Sequence, residues 1–297
     1  MKFITTLCLI CIFHFGGYSA TNSGTNGIEK KGDSLFKAGQ FQLAGLYFEK
    51  LSFLASDNKT KTTALLKKAD CYLARKDFGN AQSVLSRIFY GEISDSLVFV
   101  AQHKTALCAY LNSDFTLAES QIILIKEFIA DSSISIRAYP LYALILNESQ
   151  KWLEAKSVLN DFVNFTVKNP ELASGLRNEI SGLYETNNIP KLKDIEYAKK
   201  LSMFLPGMGQ LYCGYFWEGS LSLGLQIIGL GLTGLSIYHR YYFTGSTLAF
   251  GIFQKFYAGG LNRTEFLARK RNYTSVRTFN DSRKEFILNL LETKKAP

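Results

Sequence analysis

The sequence predicts an all-α protein: an α-solenoid of about four 37-residue helical hairpins, followed by a C-terminal helical hairpin apolar enough for a membrane. Three observations predict it. An aromatic followed three residues later by alanine recurs as Phe41/Ala44, Phe78/Ala81, Phe115/Ala118 and Trp152/Ala155, each step being 37 residues. Other columns keep the same step: Phe48, Leu85, Ile122 and Leu159; Leu51, Ile88, Ile125 and Phe162; and the small residues Gly32, Ala69, Ala106 and Ala143. The composition then changes abruptly at Leu201, after which long stretches carry almost no charge.

Residues 1–20 read as a secretory signal. Lys2 supplies a positive start, Phe3 to Phe15 an apolar stretch, and Gly16, Gly17, Ser19 and Ala20 small residues for a cut after Ser19 or Ala20. The alternative is an uncleaved anchor helix. Cys8 and Cys11 lack a small residue directly before them, so lipidation is not expected.

The repeat region, 25–188, reads as paired amphipathic helices. In the second unit Ala64 to Arg75 is the first helix, Lys76 to Phe78 the turn, and Gly79 to Phe89 the return helix. The small residue lets the paired helices approach, while the aromatic and the apolar columns fill the space between neighbours. One pair cannot bury its own apolar face, so the pairs must stack. Glu171 to Glu185 reads as one further helix capping the open end. This pattern resembles the tetratricopeptide repeat in its small residue, its aromatic after the turn, and the alanine and large apolar residue of the second helix. It departs from that family in its longer period, in the absence of a closing proline, and in having Ile28, Leu65, Gln102 and Tyr139 where a large aromatic is usual. The resemblance implies a protein or peptide partner bound on the concave face of the first helices. By register Asp33, Lys37, Asp70, His103, Tyr110 and Glu148 are candidates to face it, although the same positions suit ordinary solvated helix residues.

The formal charge of +9 suits an anionic membrane surface or nucleic acid. The basic residues crowd beside apolar segments, in Lys191 to Lys200 and Arg263 to Lys295, which favours a membrane and argues against nucleic acid. Cys71, Cys108 and Cys213 form no CxxC pair and read as buried thiols, a Cys71–Cys108 bridge being left open.

The membrane module is placed at 199–272, with spans near 219–238 and 241–261 and a basic tail at 273–297. Gly219 to Tyr238 has twenty residues without a charge, and Tyr241 to Leu261 carries only Lys255. His239 and Arg240 alone separate them, which calls for a tight hairpin. Ahead of it Pro206 and Gly207 break a helix, Gly209 and Gly214 allow close backbone approach, and Gln210 offers polar partners. Pro206, Gly207, Gly209, Gln210, Tyr212, Gly214, Trp217 and Gly219 together resemble the PGxGQxYxGxxWxG signature of small bacterial membrane modules of uncharacterised function, similar to the TM2 domain; Phe256 to Gly260 and Asn272 fit the same group. The resemblance implies a membrane module and no reaction. Gly229, Gly231 and Gly234 spell GxGxxG inside the first span, where helix packing is the better reading than dinucleotide binding.

An export signal places the repeats outside the cytoplasmic membrane. Two spans then leave the basic tail outside too, against the positive-inside tendency, so cytoplasmic repeats and a third crossing by Leu201 to Trp217 stay open. Only His103 and His239 follow the signal, in different modules, and no P-loop, HExxH or GxSxG occurs. No enzyme, metal or cofactor is expected. The expected function is a membrane-anchored adaptor at the bacterial cell envelope; the alternative is a membrane module active in lipid handling or membrane-protein assembly, with the repeats as its platform. Nothing in the sequence specifies an oligomeric state.

Overall fold

The computed structural model describes residues 23–293. The expected export segment, with Cys8 and Cys11, and the last four residues of the tail lie outside them. Among the described residues every regular element is helical. They divide into two compact units, one of residues 23–186 with 283–293 and the other Asn187–Ser282.

The first unit is built from consecutive helix pairs. Helix α1 (Ser23–Lys37) packs on α2 (Phe41–Leu54), α3 (Asn58–Ala74) on α4 (Phe78–Leu85), α5 (Asp95–Leu111) on α6 (Phe115–Phe128), and α8 (Tyr139–Glu148) on α9 (Trp152–Thr166). A single turn, α7 (Ser132–Ser135), and a 3-10 turn lead into α8, and α10 (Pro170–Leu183) follows α9. Asp57, Asp77, Asp114 and Asn169 accept hydrogen bonds from first-turn amides and fix where α3, α4, α6 and α10 begin. The Asp57 cap starts α3 at Asn58, six residues before the expected Ala64. Helix α4 ends at Leu85 rather than Phe89, and the chain beyond it is tied to α3 through Asn58 Nδ2, 2.9 Å from Phe89 O and 2.5 Å from Gly91 O.

Each pair is joined by the same three-residue turn. Its middle residue has a left-handed φ: Gly39 (+75°), Lys76 (+59°), Ser113 (+62°) and Gln150 (+61°), again 37 apart. In the second pair the Lys76 amide donates to Leu73 O and the Asp77 amide to Tyr72 O; Ser113/Asp114 and Gln150/Lys151 repeat the arrangement. This is the Schellman ending, which satisfies two of the carbonyls a helix leaves open. The next helix therefore starts on the aromatic of the repeat, and its fourth residue comes down on the helix just left. That residue is Ala44, Ala81, Ala118 or Ala155, each wholly buried. The small column is crowded as well: a Cβ on Gly32 would lie 2.7 Å from the Phe48 ring. All eight residues of the two large apolar columns are buried, Ile88 included although it lies past the end of α4. Cys71, Cys108 and Cys213 are buried, and no disulfide joins Cys71 to Cys108. Burial and the neighbouring Asp70 push the Cys71 thiol up to about 12.

The second unit holds α11 (Ile195–Phe204), α12 (Met208–Tyr212), α13 (Phe216–Tyr238) and most of α14 (Tyr242–Thr293). Two of its three helix-to-helix turns use the same device. Gly214 (φ +88°) and Arg240 (φ +64°) are the left-handed residues, with Tyr215 donating to Gln210 O and Tyr241 to Ser236 O. Phe216 and Tyr242 open the following helices, and the residues three further on are Gly219 and Gly245. Helices α13 and α14 run antiparallel. A Cβ on Gly245 would lie 3.3 Å from Ile237, Gly260 approaches Ser222, and Arg263 grips Glu218 through Nε (2.7 Å) and Nη2 (2.8 Å). Among the described residues α13 alone is long and apolar enough to cross a membrane. The second expected span falls in α14, which continues unbroken through the basic tail to Thr293.

A left-handed conformation costs an L-residue about 1–2 kcal/mol, while glycine gives back about 0.4–1 kcal/mol through its freer unfolded chain. Lys76→Gly is therefore expected to stabilise the protein by about 0.5–1 kcal/mol, and Gly39→Ala to destabilise it by about 1 kcal/mol. Shifts of the urea midpoint at constant slope would measure both.

Candidate functional site

The six groove candidates divide by what they touch. Asp33 and Asp70 are engaged in stacking. Lys67 Nζ lies 2.8 Å from Asp33 Oδ1 and 2.9 Å from Glu29 Oε1, and Lys104 Nζ lies 2.5 Å from Asp70 Oδ1. Asp33 and Asp70 are one repeat apart, as are Lys67 and Lys104, so one ion pair is used twice, from each first helix to the next. At the third interface the equivalent positions are Leu107 and Leu141, both buried. The Asp70–Lys104 pair is itself buried; burial pushes the Asp70 carboxyl up, against the pull of Lys104. Both side chains are buried at the interface between α3 and α5, so the pair is not displayed to a ligand.

His103 is half-buried and stacks on Phe99 at 5.3 Å, with the Arg137 guanidinium 5.7 Å from the same ring. Lys37 is exposed and Glu148 half-exposed, each the last residue of its helix and occupying the same repeat position. Tyr110 is buried beside Phe115, and Lys284 lies 5.8 Å from its ring centre.

Tyr110 belongs to a column the sequence reading left unnoticed. One step of 37 reaches Asn147 and a second reaches Tyr184, in register with the first helices although α10 has no aromatic-led partner helix after it. Asn147 Nδ2 donates to Tyr184 Oη at 2.8 Å, and Tyr184 Oη lies 3.0 Å from Asn147 Oδ1, deep inside the unit. Burial pushes the Tyr184 phenol up to about 12, opposed by Asn147 and Arg283. Arg283 donates to Leu183 O and sits 5.7 Å from the Tyr184 ring. Following the Tyr110 column by one and two steps of 37 would have found Asn147 and Tyr184; nothing in the sequence pointed to Arg283.

In the second unit the motif residues form a crossing point. Gly207 opens α12 with φ +93°, and a Cβ there would strike the Gly219 carbonyl oxygen. A Cβ on Gly219 would lie 2.7 Å from Leu211, and one on Gly209 would strike Ala198 O and come within 2.6 Å of Thr264. The Gly209 amide donates to Ser202 Oγ (3.0 Å), which in turn bonds Thr264 Oγ1 (2.8 Å). The motif glycines thus let α11, α12, α13 and α14 meet at backbone distance, with Pro206 half-buried just before. Gly214 serves the turn into α13. Tyr212 packs edge-on to Tyr197 at 5.3 Å, with Lys193 Nζ 4.5 Å from its ring. Asn272 closes the same region by accepting from the Lys193 amide (2.7 Å) and donating to its carbonyl (2.8 Å). Trp217 points outward, 90 % exposed. Gln210 is buried, and its Oε1 has no hydrogen-bond partner among the described residues. No group of three His, Cys, Asp or Glu side chains placed to hold a metal ion occurs among the described residues.

Removing one partner of a buried ion pair leaves an uncompensated charge, at a cost of about 3–5 kcal/mol, whereas replacing both by apolar residues is often neutral or stabilising by about 1–4 kcal/mol. Asp70→Leu and Lys104→Leu should each destabilise strongly, and the double variant, which copies Leu107 and Leu141, should recover the loss. A denaturation double-mutant cycle reads this, and additive losses would contradict it. Gly209→Ala should disorder the crossing point, seen as protease cleavage near residues 198–214 that the wild type resists, while Trp217→Ala should leave that region intact.

No family model, curated protein or solved structure matches this chain.

Proposed function

We propose that this chain is a membrane-anchored, non-catalytic scaffold of the tetratricopeptide type at the bacterial cell envelope. Its repeats form an α-solenoid that binds a protein or peptide partner, and its C-terminal hairpin holds them at the inner membrane, with the export segment placing the repeats on the periplasmic side. The observation that carries the reading is the strict 37-residue recurrence of turn, aromatic, small residue and buried columns in helix pairs packed on their neighbours, an architecture that presents extended surface rather than a catalytic cleft.

The anchor is supported by what covers α13. Leu221, Ile227, Ile228 and Leu230 are exposed along it, and only Gly219, Gln226 and Gly229 are buried. Exposed aromatics gather at both ends, Phe216 and Trp217 at the start and Tyr238, Tyr241 and Tyr242 at the finish. At roughly 1.5 Å rise per residue the helix spans about 35 Å, enough for a hydrocarbon core of about 30 Å with interfacial aromatics at its edges.

A second reading makes the membrane module the active part, in lipid handling or membrane-protein assembly. It is favoured by the buried, unpartnered Gln210 Oε1 inside the glycine crossing.

In-cell crosslinking and pulldown with full-length variants separates the two. A form ending before Lys199 would also delete residues 283–293 of the first unit, so point changes are the sounder test. On the scaffold reading, Lys37→Glu with Glu148→Lys lowers partner recovery several-fold, while Gln210→Leu, still folded and inserted, recovers the partner as the wild type does. Loss of the partner in Gln210→Leu with retention in the charge variant would favour the second reading.

A further inference from the structure

The last turns of α14 belong to the first unit, and they carry a pattern of their own. Arg283, Ile287 and Leu290, at i, i+4 and i+7, are buried, whereas Glu285, Asn289 and Glu292 on the other side are exposed. At its head two adjacent cations meet two tyrosines of one repeat column: Arg283 at Tyr184 and the Leu183 carbonyl, Lys284 at Tyr110. Asn147, one repeat step from each tyrosine, holds the Tyr184 hydroxyl, so two rings and an amide occupy successive positions of one repeat column. A cation over an aromatic face is stabilised by the ring quadrupole, more so when water is excluded, and an arginine adds a directed hydrogen bond to a helix-end carbonyl.

The structure assigns the strip Tyr110–Asn147–Tyr184 as a docking site for a basic amphipathic helix. Its resident occupant is the chain's own segment Arg283–Leu290. The partner it fits is a helix with two adjacent basic residues followed by apolar residues four and seven positions after the first. The inference rests on the reading of the repeats as a binding platform and adds to it both the class of partner and a built-in competitor. The resident segment is tethered, so it is present at a high effective concentration, and a free helix sees only the fraction of molecules in which the segment has left.

The test uses the full-length protein in detergent and a fluorescent synthetic peptide of residues 279–293. Arg283→Glu with Lys284→Glu weakens the resident segment, so the peptide should bind that variant about ten-fold or more tighter than the wild type. Adding Tyr110→Leu, which keeps bulk and removes the ring, should abolish the gain. Hydrogen exchange provides a second readout that needs no added peptide: amides 284–293 should be protected in the wild type and lose protection in Tyr110→Leu alone. Equal peptide affinity for wild type and charge variant, a gain that survives Tyr110→Leu, or exchange over 284–293 unchanged by Tyr110→Leu would each overturn the docking site. Failure of the charge variants at Lys37 and Glu148 to alter partner recovery would instead sink the platform reading, and leaves these peptide measurements unaffected.

Discussion

The constraint from which the architecture follows is a three-residue turn whose middle residue is left-handed. It closes two carbonyls at the end of one helix and aims the next helix back along it at a fixed angle. Because the return is so tight, the fourth residue of the new helix has room for a methyl group or a hydrogen and nothing more. The turn thus dictates the alanine column of the repeats, and Gly219 and Gly245 follow from the same geometry at Phe216 and Tyr242. Only one of the four repeat turns uses glycine at the left-handed position; Lys76, Ser113 and Gln150 adopt it at a conformational cost that packing of the aromatic and of the buried columns offsets.

Stacking is the second level. Each helix pair leaves an apolar face that only its neighbour covers, so the pairs stand or fall by their interfaces. Those interfaces are not uniform. The first two carry an aspartate–lysine pair between successive first helices, and the third has leucines at the same positions. A buried ion pair adds little net stability over a well-packed apolar one, but it penalises a shifted register, since a slipped neighbour would strand a charge. The ionic interfaces specify which pairs meet, and the leucine interface adds adhesion.

Much of this was legible from residue spacing. The period, the helix pairs and the buried columns follow from residue types at a fixed step, because alanine and large apolar side chains report burial directly. The turn residues were hidden, since lysine, serine and glutamine give no sign of a positive φ. Helix ends shifted where an aspartate cap, as at Asp57, outweighed the apolar pattern. Asp33 and Asp70 looked available because a sequence does not show that a lysine 34 residues on completes them. The role of Arg283 was least legible of all: it joins α10 and Tyr184 across 100 residues of chain, and nothing local marks it apart from its basic neighbours. In the C-terminal motif the glycines read as sites of close approach, which they are, while Gln210, expected to satisfy backbone groups, is buried with its own oxygen unpartnered.

A functional picture follows from the same economy of parts. The repeats bury a column of aromatic and amide groups, the last turns of α14 bring Arg283 and Lys284 to its two tyrosines, and α13 offers the apolar length that a bilayer accepts. The account depends most on the turns being fixed, hydrogen-bonded elements rather than loose connections. Residue-resolved hydrogen exchange on the intact protein tests this most directly, at the amides of Gln40, Asp77, Asp114 and Lys151, each of which donates back into the preceding helix. The account predicts that these four exchange as slowly as amides in the middle of the adjoining helices and open with them as one cooperative unit. Exchange as fast as in residues 92–94 of the long connection after α4 would contradict it.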